Sequence, residues 1–138
     1  MPEPILVPEL AITDIATSLA FYLNKLGFRI LYERPEEGFA YLERAGAELM
    51  LDQLHRTRSW VTGKMEKPFG RGINLQIKVS DVAAIREKVD DSDVFLEMET
   101  QWYAGDAVKY GVKQFIVQDP DGYLLRLQQS IGIRKLST

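Results

Sequence analysis

The chain has 138 residues, of which 46% are hydrophobic and 10% aromatic, and this composition predicts one globular domain with a substantial core. It has no cysteine, which excludes thiol catalysis, thiolate metal sites and disulfides, and its net charge of −3 argues against a general nucleic-acid binder. No apolar run approaches the length of a membrane span, and the opening MPEPILVPEL lacks the basic region of a signal peptide, so we expect a cytoplasmic protein.

Two segments of the chain resemble each other, and each begins a predicted helix. The sequence ITDIA at residues 12–16 recurs as VSDVA at residues 79–83, an offset of 67 residues. Each copy follows alternating apolar residues and places an aspartate, Asp14 or Asp81, where the N-cap of a helix belongs. Gly27 follows the first helix at the expected left-handed end. The predicted buried stripe of that helix consists of Ile15, Leu19, Tyr22, Leu23 and Leu26.

Strand patterns follow each helix and complete the repeat. They cover about residues 28–34, 39–44 and 48–53 in the first half and about residues 94–99, 112–118 and 123–129 in the second. The sequence Asp-Pro-Asp-Gly at residues 119–122 is a strong turn signal. The pattern predicts an α+β protein of two βαβββ modules, about residues 5–53 and about residues 73–129. A linker loop at about 54–72 joins them, and the tail 130–138 is expected to be frayed or folded on a partner chain.

Alternation along the strands gives the predicted sheet two chemically different faces. One face mixes polar and apolar residues, including Glu9, Gln114 and Arg126. It is expected to be exposed to water, because a core does not bury so many unpaired polar groups. These residues alone leave open whether it is a plain exposed surface or the floor of a concave crevice. The apolar face, which should pack under the helices, contains Leu10, Ile12, Leu49, Leu51, Leu75, Ile77, Val79, Phe115, Val117, Leu125 and Leu127.

Two stretches of the chain resemble the vicinal oxygen chelate superfamily. They are VPELAITDIATSLAFY at residues 7–22, continued by LGF at 26–28, and FIVQDPDGYLLR at residues 115–126. That superfamily includes glyoxalase I, extradiol dioxygenases, fosfomycin-modifying transferases and the bleomycin resistance proteins. The resemblance covers nearly the whole chain up to about Gln129. It implies one domain of this type, residues 1–138, whose two modules form a curved mixed sheet with a concave crevice.

The resemblance also indicates where metal enzymes of the superfamily take their ligands. One place lies seven residues before the helix-capping aspartate, and the other lies four residues after the glycine of the final turn. These places hold Val7, Asn74, Met50 and Arg126, whereas the metal enzymes need His, Glu or Gln at most of them. The one histidine, His55, is expected to be a solvated loop residue. We therefore expect no metal, no cofactor and no catalytic residue.

Among the metal-free members, the bleomycin resistance proteins look most similar, through Val7-Pro8 to Asp14 and through Phe21-Tyr22. Those proteins are arm-swapped homodimers that hold cationic glycopeptide drugs at the subunit interface and sequester them from DNA. The resemblance predicts a homodimer that binds an antibiotic of the bleomycin or phleomycin class without turnover, and no nucleic-acid or membrane partner. A metal-dependent lyase, dioxygenase or transferase of the same fold, and a binding module for another small ligand, remain the alternatives.

The candidate ligand-binding residues combine aromatic rings with acidic surroundings. Residues 90–106 carry six acidic residues and no basic one, and a predicted loop within them holds Trp102 and Tyr103, which could stack on a flat cation. Trp60, in the basic linker loop, could cap the crevice or serve the dimer interface. Phe39 and Tyr110 could bind ligand or simply pack. The full predicted set is Phe39, Trp60, Trp102, Tyr103, Tyr110, Glu9, Asn74 and Arg126.

Overall fold

The computed structural model describes residues 4–136, which form two compact units. The first unit runs to Phe69 and also includes the turn Asp119–Gly122. The second unit comprises Gly70–Gln118 and the residues from Tyr123 onward. No helix within residues 4–136 is long and apolar enough to cross a membrane.

Each unit contains a four-stranded mixed sheet with the same strand order. The first module consists of β1 (Glu9–Ile12), α1 (Ile15–Leu19), β2 (Arg29–Arg34), β3 (Phe39–Arg44) and β4 (Ala47–Gln53). The second consists of β5 (Asn74–Lys78), α2 (Val82–Lys88), β6 (Val94–Ala104), β7 (Val108–Gln118) and β8 (Leu124–Lys135). The orders are β1-β4-β3-β2 and β5-β8-β7-β6, with the first and last strand of each module paired in parallel. The matching orders confirm the predicted α+β fold of two βαβββ modules.

Both predicted N-caps are confirmed. The Asp14 carboxylate accepts a hydrogen bond from the Thr17 backbone N–H at 2.9 Å, and the Asp81 carboxylate accepts one from the Ala84 backbone N–H at 3.1 Å. Each bond satisfies one of the backbone donors that the first turn of a helix leaves unpaired. The N-caps could be predicted because each depends only on residues that are close together in the sequence.

The predicted buried stripe of the first helix is only partly correct. α1 continues as a π-helical turn over Ala20–Lys25, which holds more residues per turn than an α-helix. The wider turn changes which side chains face inward, so Ser18 and Phe21 are buried while Leu19 and Leu23 are half-buried. Tyr22 is fully buried, as predicted.

The predicted apolar face forms the core of each unit. All of its members have a relative exposure of 8% or less, except Leu75, which is half-buried in the edge strand β5. Burial of such side chains contributes roughly 1.5–3 kcal/mol each, so this face supplies most of the driving force for folding. The opposite face of each sheet is therefore available for other chemistry.

Strands β6, β7 and β8 are longer than predicted. Strand β6 ends at Ala104, β7 begins at Val108 and β8 ends at Lys135. The register pairs Tyr103 with Tyr110 and Tyr110 with Ile133. The predicted loop at residues 100–111 is therefore wrong. Residues 130–135 of the expected tail are not frayed, because they continue β8 beside β7, and contact of this segment with a partner chain stays a prediction. The last two residues of the expected tail lie outside the described residues.

The turn Asp119–Gly122 is anchored by side-chain hydrogen bonds within the first unit. Asp119 accepts from the buried Tyr22 hydroxyl at 2.7 Å and from the backbone N–H of Asp121 and Gly122 at 3.0 and 2.9 Å. Asp121, 2% exposed, accepts from the backbone N–H of Thr13 at 3.0 Å and from the Thr13 hydroxyl. Bonds to carboxylates are stronger than neutral ones, so this turn is a firm part of the first unit.

Candidate functional site

One face of the first sheet presents two rows of side chains that run across all four strands. Residues that pair directly in neighbouring strands point to the same face, so the register defines the rows. The face lies opposite the core and is here named the acidic-aromatic face. Its first row is Glu9, Met50, Tyr41 and Tyr32, and its second row is Ala11, Asp52, Phe39 and Arg34.

A β-bulge in β2 places Tyr32 in the first row. Ile30 pairs with Leu42, which is fully buried in the core, whereas Tyr32 pairs with Tyr41 on the opposite face. Regular alternation would put residues 30 and 32 on one face, so the extra residue Leu31 reverses the direction of the side chains that follow. The bulge therefore brings a second tyrosine onto the acidic-aromatic face.

The aromatic rings of this face contact one another. The ring centroids of Tyr32 and Tyr41 are 5.1 Å apart with an interplanar angle of 19°, and those of Tyr32 and Phe39 are 6.0 Å apart. The guanidinium of Arg34 lies 4.0 Å from the Phe39 centroid. Phe39 is 5% exposed and Tyr32 is 51% exposed, so Tyr32 is the ring that a ligand can reach.

Carboxylates flank the rings. The Tyr41 hydroxyl donates to Oε1 of Glu48 at 2.7 Å. Partial burial, followed by the negative charge of Asp52, raises the pKa of Glu9, although Arg34 acts in the opposite direction. Partial burial also raises the pKa of Asp52, again against the effect of Arg34. Both groups are therefore less stable as anions than in water, and an added cation would stabilise their charged forms.

A cleft of about 320 Å³ opens beside the two tyrosine rings. It is lined by Pro4, Leu31, Tyr32, Tyr41 and Glu48. Ring faces attract cations through their quadrupole, and a nearby carboxylate adds Coulombic attraction. The cleft thus combines the two features that bind a flat, positively charged group.

The second sheet carries a buried network of hydrogen-bonded amides. Gln114, 2% exposed, donates from Nε2 to Oε2 of Glu99 at 2.9 Å and to the Tyr103 hydroxyl at 2.8 Å. Its Oε1 accepts from Nε2 of Gln128 at 3.0 Å. The expectation of a wet mixed face is wrong at the two glutamines, because they are buried and satisfy each other.

Arg126 and Asn74 lie on this same face of the second sheet. Nη2 of Arg126 donates to Oε1 of Gln76 at 3.1 Å, and Gln76 is its register partner in β5. Nε of Arg126 is buried and has no acceptor among the described residues. Asn74 is exposed at the beginning of β5, two residues before Gln76. Arg126 is therefore a hydrogen-bond donor whose capacity is only partly used.

Trp102 and Tyr103 lie in β6 rather than in a loop. Consecutive residues of a strand point to opposite faces, so their rings do not share a site. Tyr103 joins the amide network, and its register partner Tyr110 shares that face, 51% exposed. The Trp102 ring lies over Gly111, and the Arg134 guanidinium is 3.8 Å from its centroid. The predicted loop position of Trp102 and Tyr103 is thus wrong, whereas their role as ligand contacts stays a prediction.

Trp60 and His55 lie in the segment between the modules. Trp60 is 70% exposed, and the Arg58 guanidinium lies 4.1 Å from its ring centroid. His55 is exposed, as expected for a solvated loop residue, with a left-handed φ of 69°. Trp60 therefore remains a predicted contact residue, carried by a loop rather than by a strand.

The structure brings two of the predicted residues, Phe39 and Glu9, onto the acidic-aromatic face. The alternation along β4 also predicts Asp52 on the mixed face, two residues after Met50. Sequence analysis did not single out Tyr32 or the hydrogen bond between Tyr41 and Glu48. Tyr32 could not be found from alternation, because a bulge has no signature in its residue types.

The residues at the superfamily's metal-ligand places do not form a donor set for a metal ion. Val7 has an alkyl side chain, and the guanidinium of Arg126 is a cation that already donates to Gln76. Met50 and Asn74 leave one weak thioether and one amide oxygen, short of the three N or O donors that a divalent site needs. Residues 4–136 contain no group of three or more His, Cys, Asp or Glu side chains able to hold a metal.

Two βαβββ modules of identical strand order, each with one polar sheet face opposite its core, define a protein of the vicinal oxygen chelate class. The Glyoxalase/Bleomycin resistance protein/Dioxygenase superfamily matches residues 5–127, and the chain belongs to this superfamily. No curated protein matches the chain.

Several solved structures are similar to the chain. A glyoxalase/bleomycin resistance protein/dioxygenase superfamily member from Vibrio splendidus 12B01 is 37% identical over 91% of this chain and 97% of its own, with a TM-score of 0.42. The virulence protein STM3117 from Salmonella typhimurium is 16% identical over 95% and 99%, with a TM-score of 0.68. TioX from Micromonospora sp. ML1 is 21% identical over 91% and 98%, with a TM-score of 0.64. The last two show a shared fold alone.

Proposed function

We propose that this chain is a non-catalytic protein that binds and sequesters a small cationic ligand bearing a flat aromatic group. The candidate ligand is an antibiotic of the bleomycin or phleomycin glycopeptide class. The observation that carries the proposal is the acidic-aromatic face, where stacked tyrosines adjoin carboxylates on one rigid sheet. Membership of a superfamily that includes drug-binding proteins supports it, as does the poor fit of a metal to the usual ligand places.

Binding would place an aromatic group of the ligand against Tyr32 and its cationic group near Glu9 and Asp52. Tyr32 supplies an exposed ring held in place by Tyr41 and Phe39, so little side-chain entropy is lost on contact. The ligand's charge would stabilise the ionised forms of the two carboxylates, whose pKa values are raised mainly by partial burial. Strand residues are more rigid than loop residues, which favours a preformed site.

The first experiment is a titration of the purified protein with metal-free bleomycin, followed by calorimetry and by tryptophan fluorescence. Saturable binding near one drug per chain, with a dissociation constant at or below about 1 μM, would support sequestration. Unchanged drug after prolonged incubation would separate binding from turnover. No heat and no fluorescence change at tens of micromolar would reject this drug class as the ligand.

Replacing Tyr32 by alanine should weaken drug binding about tenfold, which corresponds to about 1.4 kcal/mol. The variant loses the exposed ring of the stack, and its removal leaves Tyr41 and Phe39 without their shared neighbour. Calorimetric titration of both proteins under one buffer condition measures the change.

Phe95→Ala is the matched control, because Phe95 is also a large exposed ring, 59% exposed, and lies in β6 of the second unit. Its affinity should equal that of the parent protein. If Tyr110→Ala weakened binding while Tyr32→Ala did not, the site would lie on the second sheet and the assignment to the first would be wrong.

Affinity for the cationic drug should fall on acidification. A cation binds best when Glu9 and Asp52 are ionised, and burial raises the pKa of both from their ordinary values. The attraction is complete above the raised pKa values and disappears as pH falls through them, so the loss begins at a higher pH than for solvated carboxylates. Calorimetric titrations between about pH 4 and 7 measure this profile.

Glu9→Gln separates the protein's titration from that of the drug. The variant should bind more weakly at neutral pH and show a flatter pH profile, because one of the two titrating partners is gone. A parent affinity that stayed constant or rose toward low pH would contradict a carboxylate-based site.

We propose in addition that the protein acts as a homodimer. Exposed apolar side chains on the long strands of the second unit support this, since Tyr110, Ile131 and Ile133 are 51%, 41% and 64% exposed. Light scattering on the eluting protein measures the mass directly, and a mass equal to one 15.8 kDa chain at micromolar concentration would reject it.

A further inference from the structure

The second sheet contains a cation whose hydrogen bonds are incomplete. Arg126 is half-buried in β8, and its Nε is buried without an acceptor among residues 4–136. Within the part of the chain that the structure describes, its side-chain partner is Oε1 of Gln76, which accepts from Nη2 at 3.1 Å. A buried donor without an acceptor is destabilising, so an acceptor that reached Nε would remove that penalty.

The surroundings of Arg126 favour an acceptor that comes from outside the chain. No carboxylate of the described residues pairs with this guanidinium, whereas Arg29 and Arg86 each donate through Nε to a glutamate at 2.7 and 2.9 Å. The amide of Gln114 is already committed, because its Nε2 donates to Glu99 and Tyr103 and its Oε1 accepts from Gln128. The protein therefore leaves one arginine charge uncompensated on a sheet face.

Gln76 is a replaceable partner. It is exposed in the edge strand β5, and its amide oxygen satisfies only one donor of the guanidinium. A carboxylate has two oxygens at the spacing of the Nε and Nη2 donors and makes two parallel, charge-assisted bonds. A carboxylate that displaced Gln76 would thus satisfy both donors at once.

The chemistry of the face indicates which anion fits. Ile116 is the register partner of Arg126 in β7 and is half-buried, so an apolar group can rest beside the guanidinium. Arg126 and Lys78 are the cations of this face and Glu99, two strands away, is its anion, so one positive charge is left and a monoanion balances it.

We propose that Arg126 is the anchor of a second binding site, which takes the carboxylate of a small apolar or aromatic monocarboxylic acid in place of Gln76. This site lies within the second unit and is tested separately from the proposed drug binding. The two oxygens of the ligand's carboxylate would accept two hydrogen bonds from the Arg126 guanidinium, in place of the one that Gln76 accepts.

The test follows the Nε–H resonance of Arg126 in ¹H–¹⁵N NMR spectra while sodium benzoate is added. Arg126→Lys identifies the resonance by its disappearance. We expect a saturable shift of this signal with benzoate and no shift with neutral benzamide. The Nε–H signals of Arg29 and Arg86 serve as internal controls and should stay in place, because both already donate to glutamates.

Two variants of Gln76 make the test specific. Gln76→Glu supplies a carboxylate from the chain itself, so it should occupy the guanidinium and weaken benzoate binding at least tenfold. Gln76→Ala removes the amide that accepts from Arg126, and this variant should bind benzoate as tightly as the parent protein or more tightly. Both changes are at an exposed edge position and leave the core untouched.

Three results would overturn the proposal. They are an Arg126 signal that does not move with benzoate at tens of millimolar, an equal shift with benzamide, and unchanged benzoate affinity in Gln76→Glu. A saturable shift with inorganic phosphate but not with benzoate would reject the carboxylate class. None of these outcomes bears on bleomycin binding, which is measured separately.

Discussion

Replacement of Gly122 by alanine is expected to lower the free energy of unfolding by about 3 kcal/mol or more. Gly122 has a φ of +106°, a conformation that L residues rarely adopt. A Cβ at this position would lie 2.5 Å from Cβ and 2.6 Å from Cα of Pro68, and 3.0 Å from the backbone N of Phe69. Two of these three atoms belong to the backbone, so a rotamer change cannot relieve the clash.

Gly46→Ala is the matched control for this substitution. Gly46 also has a positive φ, +96°, but a Cβ there would meet nothing within 4 Å. Gly46→Ala should therefore lower the free energy of unfolding only by the cost of holding alanine at a positive φ, about 1–2 kcal/mol. Urea unfolding of the three proteins gives both values. Equal losses in the two variants would show that the contact with Pro68 and Phe69 yields without strain, contrary to the expectation.

Asp121→Ala should cost about 3 kcal/mol of unfolding free energy. The carboxylate is 2% exposed and accepts two hydrogen bonds from Thr13, through its backbone N–H and its hydroxyl. Lys67 adds a charge 3.6 Å away. Alanine removes two charge-assisted hydrogen bonds to the part-buried Thr13 donors and empties the buried place of the carboxylate.

Asp106→Ala provides the comparison, because Asp106 lies exposed in the connection between β6 and β7. Its effect on stability should be within about 0.5 kcal/mol. Thr13→Val removes the hydroxyl but keeps the backbone donor, and should fall between the two. A loss below about 1 kcal/mol in Asp121→Ala would mean that the turn is held by other contacts.

Local chemistry in the sequence was sufficient to predict the repeat, both N-caps and the apolar face. These features depend on the spacing of residue types along one segment, such as Asp14 before its helix or Leu49 and Leu51 along β4. The lengths of β6 to β8 were not predictable in the same way. Residues 100–111 lack apolar alternation, and the strands persist there because they pair with each other.

The candidate site was predictable only in part, for a different physical reason. Glu9 and Phe39 could be assigned to a face by counting along regular strands. Tyr32 reaches that face through the bulge in β2, because one inserted residue makes every later side chain of the strand point to the opposite face of the sheet. The partners of Arg126 and Gln114 likewise depend on register between strands that are distant in sequence.

The turn Asp119–Gly122 also limits how the chain can be divided. The repeat suggests that each half descends from a self-sufficient ancestor, and a cut in the segment between the modules would respect it. Yet Tyr22 and Thr13 of the first unit donate hydrogen bonds to Asp119 and Asp121, which lie about a hundred positions downstream. The N-terminal half expressed alone would lack those acceptors. The first unit needs this turn from the C-terminal half of the chain, so complementation between separately expressed fragments would be a more informative dissection than truncation.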